Sequence, residues 1–534
     1  MLSPTHKILS KLEISNDLIK KINHSISSCS DFKTAEKFIQ RNTSILVTTD
    51  QSIIKGYKKD WSNIKGSAEI LVRPKNRLEC AISMYIFYRI NISITISAGR
   101  TNLTGSATPL TGAIISTEKM IANNFSIDLE QKRVISNVGT ILEDFRKKVK
   151  KESNQKLYYP VDPTSRKDAT VGGTISCNAS GFIPGKRGAT RHWISSLSIV
   201  LTSGRIINAK KGQYLTKNGK FLIDNKEVVL PNYTRPEIKN ASGPFSFNKE
   251  EVDIIDLIIG SEGIFGMIVQ CELILDRLPK NNLDIFIPFA NEDTAILFRN
   301  YIYKIKNKEN FIINALEYFG YNCQKYMTNY DYFFDNNEQV GIYMQIPIYD
   351  LNIEDSINKW FKILKNFSSE INMDKVILLN EKKNWDLFFK ARHSIPVNAL
   401  EKTIKLDSVS MITDTIVPEN KFSIFLKYTH RLIKSYNIEY LLFGHLGDCH
   451  LHFHLIHTKQ KQKIAEEIYR KIIKKSSELG GVYSAEHGTG KRKRNDFIEC
   501  YGIEASKQVK LCKKFFDPKM LLNIGNVVWK NIYL

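Results

Sequence analysis

Five of the eleven histidines in this 534-residue chain fall between positions 445 and 457, in the stretch FGHLGDCHLHFHLIH. An imidazole can take a proton near neutral pH or bind a divalent ion through either ring nitrogen. After the apolar run 440–443, residues 444–448 read as a turn and 449–457 as a strand. Strand alternation puts His450, His452 and His454 on one face and Leu451, Phe453 and Leu455 on the other. His445 at the turn and His452 on the returning strand could approach one another, and Glu486, within YSAEHGTG, is the natural third ligand. Two imidazoles and a carboxylate with open positions suit a catalytic divalent metal, most simply zinc. The same crowding also fits a polar histidine face in a cleft, or incidental surface histidines.

A second chemistry is suggested by small-residue loops. Segment 97–112, SAGRTNLTGSATPLTG, follows an apolar β-type run and sets Gly99, Gly105 and Gly112 among hydroxyl side chains. Backbone N–H groups in such a loop can converge on an anion such as a pyrophosphate. It is neither a Walker loop nor a GxGxxG turn, and read alone it is equally an ordinary Gly/Ser/Thr loop. Segment 160–193 is a second loop of this kind, with Pro163, Thr164 and Ser165, then Gly172, Gly173 and Thr174, then Asn178, Ala179, Ser180 and Gly181, then Gly188, Ala189, Thr190 and Arg191. A third, 259–269, ends in an apolar strand whose backbone could pair with a ring edge.

The elements that must hold these loops read as follows. Residues 1–60 form short amphipathic helices, for example 35–41 after the turn residues Ser30 and Asp31. From about residue 66, β-type runs at 69–72, 92–97, 127–129, 134–136, 197–202 and 205–208, with a helix over 77–89, predict an α+β domain ending near residue 277. Strands at 284–288 and 340–347 with helices at 292–304 and 355–366 then predict an antiparallel sheet covered on one face by helices. A mostly helical tail follows from about residue 465, broken by the glycine-rich 480–490.

Composition narrows the classes. At this length, with 42% hydrophobic residues, two to four domains with real cores are expected, which excludes a disordered chain or a small disulfide scaffold. Eight scattered cysteines with no CxxC pair point to a reducing compartment and no iron–sulfur cluster. The net charge of +22 comes from lysines spread along the whole chain, a pattern of solvated lysines rather than a nucleic-acid footprint. Only 491–494 is dense enough for a local anion patch. No run approaches 18 apolar residues and the start lacks a secretory core, so a cytoplasmic protein is expected, with room for peripheral contact with the inner membrane.

Taken in order, these motifs resemble the FAD-dependent oxidoreductases of the vanillyl-alcohol oxidase and p-cresol methylhydroxylase type, in the branch of D-lactate, glycolate and D-2-hydroxyglutarate dehydrogenases. The resemblance covers about 66–530. It implies an α+β fold: a helical extension (1–65), a two-subdomain FAD-binding PCMH-type domain (66–277), and a C-terminal substrate and metal domain of antiparallel sheet plus helices (278–534). Gly99, Arg100, Thr101, Asn102, Leu103, Thr104 and Gly105 would hold the FAD pyrophosphate. Pro163, Thr164 and Ser165, then Gly172, Gly173, Thr174, Asn178, Ser180 and Gly181, and then Thr190, match stretches around the isoalloxazine and ribityl groups. Gly263, Gly266 and Ile268 belong to GSEGIFGMIV, which is similar to the family's GSEGTLGIVT. With no histidine between residues 93 and 112, a dissociable FAD is expected.

HLGDCHLH and SAEHGTG are similar to the family's HxGDGNLH and GEHGIG. The resemblance then implies His445, His452 and Glu486 as metal ligands, His487 as the base, and Arg392 as the substrate-carboxylate anchor, where the bare sequence reads only a surface helix arginine. Cys449 and His450 depart from the family's Gly and Asn, and His454 stands where an Asn often contacts substrate. His450 and His454 are thus alternative ligands, while Cys449 reads as a packed small residue. The family's second anchoring lysine would align with Ile412, leaving Lys405 as a weaker candidate. The ending 516–525 looks like a structural stop that closes the C-terminal domain.

The implied activity is metal-assisted oxidation of a small D-2-hydroxy acid, D-lactate first and D-2-hydroxyglutarate or glycolate next. Electrons would leave to an electron-transfer flavoprotein, a quinone, a cytochrome or oxygen, and the chain would act as a homodimer or a complex subunit. The other classes are an accessory FAD-binding subunit of a glycolate-oxidase-like complex and a non-redox enzyme of the alkylglycerone-phosphate synthase type. The latter's tyrosine-bearing version of the histidine segment is absent here.

Overall fold

Strand Ile70–Arg73, helix Arg77–Arg89 and strand Ile94–Ser97 realise the expected strand–helix–strand unit. The computed structural model describes residues 3–27, 30–121, 125–246, 251–309, 311–350, 352–368 and 371–529. Asn76 caps the helix, its side chain accepting the Glu79 N–H at 3.0 Å. Strand Ala113–Ser116 lies between the two strands and parallel to both. Parallel neighbours need a long crossover, and the 97–112 loop therefore emerges beside this small sheet, at the end of Ile94–Ser97. Strand Leu46–Thr48 adds antiparallel to Ile70–Arg73.

The second subdomain is a six-stranded antiparallel sheet in the order Lys11–Leu12, Arg205–Lys210, Ile194–Val200, Met267–Ile274, Arg133–Ser136, Ser126–Asp128. Both subdomains share one continuous apolar core. Residues 3–65 carry helices Asn16–Ser25, Phe32–Asn42 and Gln51–Ile54, the second capped by Asp31. They are woven in rather than appended. Lys7–Ile8 pairs with Lys220–Ile223, Lys11–Leu12 with Arg205–Lys210, and Leu46–Thr48 with the first sheet.

The C-terminal domain is a seven-stranded antiparallel sheet in the order Ile377–Leu378, Asn281–Phe289, Val340–Ile348, Ala315–Phe319, Glu439–His445, His450–Ile456, Met411–Ile412. Helices Glu292–Glu309, Ile353–Phe367, Phe422–Ser435 and Gln462–Glu478 pack on one face, against residues such as Ile285 and Leu442. The expectation of a single covered face is corrected: helix Lys382–Lys405 lays Phe388, Ala391, Ile395 and Ala399 against Phe286 and Leu441 on the other. Consecutive apolar residues in one strand supply both faces, because neighbouring side chains point to opposite sides.

After residue 490 the chain returns to the first domain. Helix Arg494–Phe516, kinked at Gly502, buries Phe497, Val509 and Phe516 in the FAD-domain core. Asp517 then accepts the N–H groups of Leu521 (3.1 Å) and Leu522 (2.8 Å). The ending read as closing the C-terminal domain therefore closes the first domain instead.

Candidate active site

The glycine-rich loops converge on one cleft. Its walls are residues 99–103, 163–165, 172–174, Ser180, Gly181, Gly263, Gly266 and Ile268, together with His445, Glu486 and His487. Trp61, Ser106, Asp162, Cys177, Phe182, Glu262 and Asn523 also line it. Including its open mouth the cleft encloses about 1360 Å³ of empty space.

Asn102 organises the first loop: its Oδ1 accepts the N–H groups of Thr104 and Ser106 and the Thr104 hydroxyl, each at 2.9 Å. Among the described residues no protein acceptor takes the backbone N–H groups of Arg100, Thr101, Asn102 and Leu103. Donors of that kind suit a phosphate, so these residues fit the pyrophosphate of FAD. Thr104 and Gly105 stand behind the wall: the Thr104 carbonyl accepts from Lys491 N–H at 2.8 Å, and Gly105 takes φ +87°. Asn178 and Thr190 also stand behind it. Asn178 ends helix Val171–Cys177 in a left-handed conformation and accepts Arg191 N–H at 3.0 Å, while the Thr190 hydroxyl donates to Ala179 O at 2.7 Å.

Glu262 ties the loops together. Its buried carboxylate accepts from Thr489 N–H (2.6 Å), Gly490 N–H (2.7 Å) and the Ser106 hydroxyl. Asn523 accepts Ile96 N–H at 2.8 Å and donates to Glu262 O at 2.9 Å.

The histidine segment folds as a tight hairpin, Glu439–His445 against His450–Ile456, with His445 opposite His450 and Phe443 opposite His452. Cys449, at φ 56°, occupies the turn position that favours glycine and is buried in the sheet core. Alternation sends Leu451, Phe453 and Leu455 into that core.

His445 Nδ1 donates to Glu317 Oε1 at 2.6 Å and His452 Nδ1 donates to the Thr413 carbonyl at 2.9 Å. Each hydrogen bond turns the ring's Nε2 toward Glu486 Oε1, at 3.4 Å from His445 and 3.5 Å from His452. Ligand atoms of His445, His450, His452 and Glu486 all lie within 4.8 Å of one another. Orienting each imidazole through its other nitrogen is how metal ligands are commonly supported, and this donor set fits a divalent ion. His454 lies outside the group, 3.2 Å from the Ser410 hydroxyl.

Burial alone would lower the His445 pKa, but the carboxylates of Glu317 and Glu486 outweigh it and push the imidazole up to about 9. Burial is likewise outweighed at Glu486, where Lys239 and His445 hold the carboxyl well below its usual range. At His487 burial wins over Asp414 and pushes the ring down to about 4, so it is neutral at neutral pH.

Asp414 sits under His487. It is fully buried, and its Oδ2 accepts His487 N–H at 2.9 Å, Lys493 Nζ at 3.1 Å and the Ser484 hydroxyl at 2.5 Å. Three members of the run 491–494, read as an anion patch, are spent internally, while Arg492 stays exposed. Lys493 serves Asp414, Lys491 Nζ donates to Gly105 O (3.1 Å) and Asn526 Oδ1 (2.6 Å), and the Arg494 guanidinium stacks 3.3 Å from the Trp529 centroid.

Arg392 does not line the cleft. It is 3.1 Å from Glu317 Oε2, and its guanidinium lies 4.2 Å from the centroid of Phe182, which does line it. Lys405 is exposed at the far end of the same helix. Glu317, Lys239 and Asp414 were given no role from the sequence; each is a lone charged residue on a segment remote from the histidines, with no local spacing to mark it. Lys493 was read only as part of the 491–494 anion patch.

Two flavin-holding subdomains, a second sheet domain that brings polar residues to the same cleft, and a neutral imidazole beside a cation-ready cluster define a flavin-dependent oxidoreductase. Residues 68–210 match the family described as FAD binding domain, and residues 348–527 match FAD linked oxidases, C-terminal domain. The chain is 26% identical over 504 residues to D-lactate dehydrogenase of Anaerostipes hadrus, covering 91% of this chain and 95% of that one. It is 24% identical to glycolate oxidase subunit GlcD of Bacillus subtilis (87% and 89% covered) and 23% identical to D-2-hydroxyglutarate dehydrogenase of Stutzerimonas stutzeri (90% and 96%).

Among solved structures, 4-ethylphenol oxidase from Gulosibacter chungangensis superimposes with TM-score 0.64 at 14% identity, covering 98% of this chain and 99% of that one. An alkyldihydroxyacetonephosphate synthase superimposes at 0.60 and 15% identity, covering 96% and 85%. Both are likenesses of fold. The chain carries the matched FAD binding and FAD-linked oxidase C-terminal domains and is an FAD-dependent oxidoreductase.

Proposed function

We propose that this protein is a dehydrogenase that oxidises a small D-2-hydroxy acid to the 2-keto acid, with D-lactate the first candidate and D-2-hydroxyglutarate or glycolate next. The observation that carries the reading is the convergence of His445, His452 and Glu486, two Nε2 atoms on one carboxylate oxygen, beside the neutral His487 at the wall of the FAD cleft. The names of the relatives support the same substrate class.

FAD, when bound, supplies a hydride acceptor, and a divalent ion held by His445, His452 and Glu486, zinc being the simplest, supplies Lewis acidity toward the substrate hydroxyl. His487 accepts the hydroxyl proton, and Asp414 holds its backbone N–H and stands 3.5 Å from its Nδ1. The Arg392 guanidinium, set behind the cleft-lining Phe182 and paired with Glu317, is assigned to the carboxylate end on the resemblance of its segment. Residues 99–103 hold the pyrophosphate. FAD is bound without a covalent link.

Electrons pass to a partner such as an electron-transfer flavoprotein, a quinone or a cytochrome. Among the described residues no helix is long and apolar enough to cross a membrane; a cytoplasmic site of action is part of the proposal.

The test is an anaerobic visible spectrum with zinc or manganese present, before and after each acid and the L-enantiomers of the chiral ones. Bleaching of the flavin band by one D-acid is expected. A bound flavin that none of them reduces would overturn the substrate assignment.

A further inference from the structure

The stretch 210–246 has no role in the reading above. Its hairpin, Lys220–Ile223 with Lys226–Val229, pairs with Lys7–Ile8. The chain then crosses to the C-terminal domain. Ala241 N–H donates to Ser484 O at 3.1 Å and Gly243 N–H to Thr489 Oγ1 at 2.9 Å. The buried guanidinium of Arg235 donates to the carbonyls of Ser242 (2.6 Å), Gly243 (3.1 Å) and Pro244 (3.0 Å), bracing the crossing from within. This crossing carries Lys239.

The Lys239 side chain is 4% exposed, with its ammonium 2.9 Å from Glu486 Oε2 and 3.6 Å from Asp448 Oδ2. Glu486 is divided between two tasks. Oε1 faces the Nε2 atoms of His445 and His452, while Oε2 accepts from Lys239 and, at 3.3 Å, from the Ser180 hydroxyl. A carboxylate oxygen held by a charge-assisted hydrogen bond is the poorer metal donor of the two, which favours binding through the other.

We propose that Lys239 is a positioning residue for the metal centre, and that its ammonium makes Glu486 a one-oxygen ligand. The inference rests on the metal reading made above. Two consequences follow from elementary electrostatics. One-oxygen ligation leaves a coordination position for substrate. A fixed positive charge next to the ligand also weakens the hold on the ion, since like charges repel.

The test uses the flavin-loaded protein and cobalt(II), whose visible bands in the red, beyond flavin absorption, weaken as coordination number rises. Lys239→Met is expected to retain flavin, to bind cobalt roughly tenfold more tightly in chelator competition as the like-charge repulsion is removed, and to show weaker bands as both Glu486 oxygens engage. Lys239→Arg, which restores the donor and the charge, is expected to return the wild-type spectrum.

If Lys239→Met fails to retain flavin, Lys239→Gln, which keeps a donor without the charge, carries the same expectation for affinity. Unchanged affinity and spectrum, or weaker binding in a variant with full flavin content, would make Lys239 a structural tie and overturn the proposal. Failure of the wild type to bind cobalt at all, with His445→Ala indistinguishable from it, would remove the metal reading and this inference together. Wild-type binding with no Lys239 effect would remove the inference alone.

Discussion

The Nδ1–H of His445 donates at 2.6 Å to a carboxylate oxygen of Glu317, a residue 128 positions earlier and buried in the neighbouring strand. The other Glu317 oxygen takes Arg392, so one carboxylate orients both the His445 imidazole and the Arg392 guanidinium. Glu317→Gln keeps an acceptor but loses the charge. It should weaken zinc binding roughly tenfold, the usual scale for residues that orient a ligand. Competition with a chromogenic chelator measures this, and an affinity equal to wild type would show that His445 does not need Glu317.

His445→Ala and Glu486→Ala remove an Nε2 and the shared oxygen. Both variants should abolish turnover while keeping bound flavin, because the residues facing the pyrophosphate, 99–103, lie on a different segment of the chain. Flavin content by absorbance and turnover with an artificial acceptor separate the two, and full activity in either variant would remove the metal role.

For Arg392→Met the expected change is a higher KM together with a lower kcat, with kcat/KM falling on the order of tenfold to a hundredfold, as for a lost charge-assisted hydrogen bond. Flavin reduction at several substrate concentrations reads both constants. Unchanged kcat/KM would discard this residue as the carboxylate anchor.

Asp414 leads to a pH prediction. Burial alone would raise its pKa, but His487, Lys493 and His450 hold it well below 3.8. A carboxylate depressed in the folded state contributes stability that is fully present above its unfolded pKa, near 3.8, and is lost as pH falls through the folded value. Asp414→Asn should therefore cost on the order of 3 kcal/mol at neutral pH, the scale for breaking a buried pair. The gap to wild type should narrow only below about pH 4. Denaturant midpoints across pH test this, and a gap that stays constant into strong acid would contradict it.

The flavin should leave the protein on acid precipitation. Cys177 lines the cleft, but burial pushes its thiol up to about 12, far from a thiolate, and the first loop carries no histidine. Yellow supernatant and colourless pellet are expected, while flavin retained in the pellet would show a covalent link.

Much of this site could be read along the chain because its parts are local. Period-2 alternation of histidine and apolar residues over 449–457 requires a strand with one imidazole face, and the turn before it returns His445 to that face. The small-residue loops announced themselves in the same way, since close backbone approach needs glycine wherever it occurs.

What the folded chain decided is charge at a distance. Glu317, Asp414 and Lys239 lie 128, 73 and 247 positions from the site residues they bond. A lone Glu, Asp or Lys in sequence is indistinguishable from a solvated one until packing buries it beside its partner. The basic run 491–494 shows the same limit in reverse: its charges look like a surface patch along the chain, yet Lys491 and Lys493 are buried at 7% and 5% exposure against internal acceptors. Local periodicity determines which face a side chain takes. Only the crossing of segments from both domains determines which charges meet there, because an ion pair depends on distance in space and carries no period along the chain.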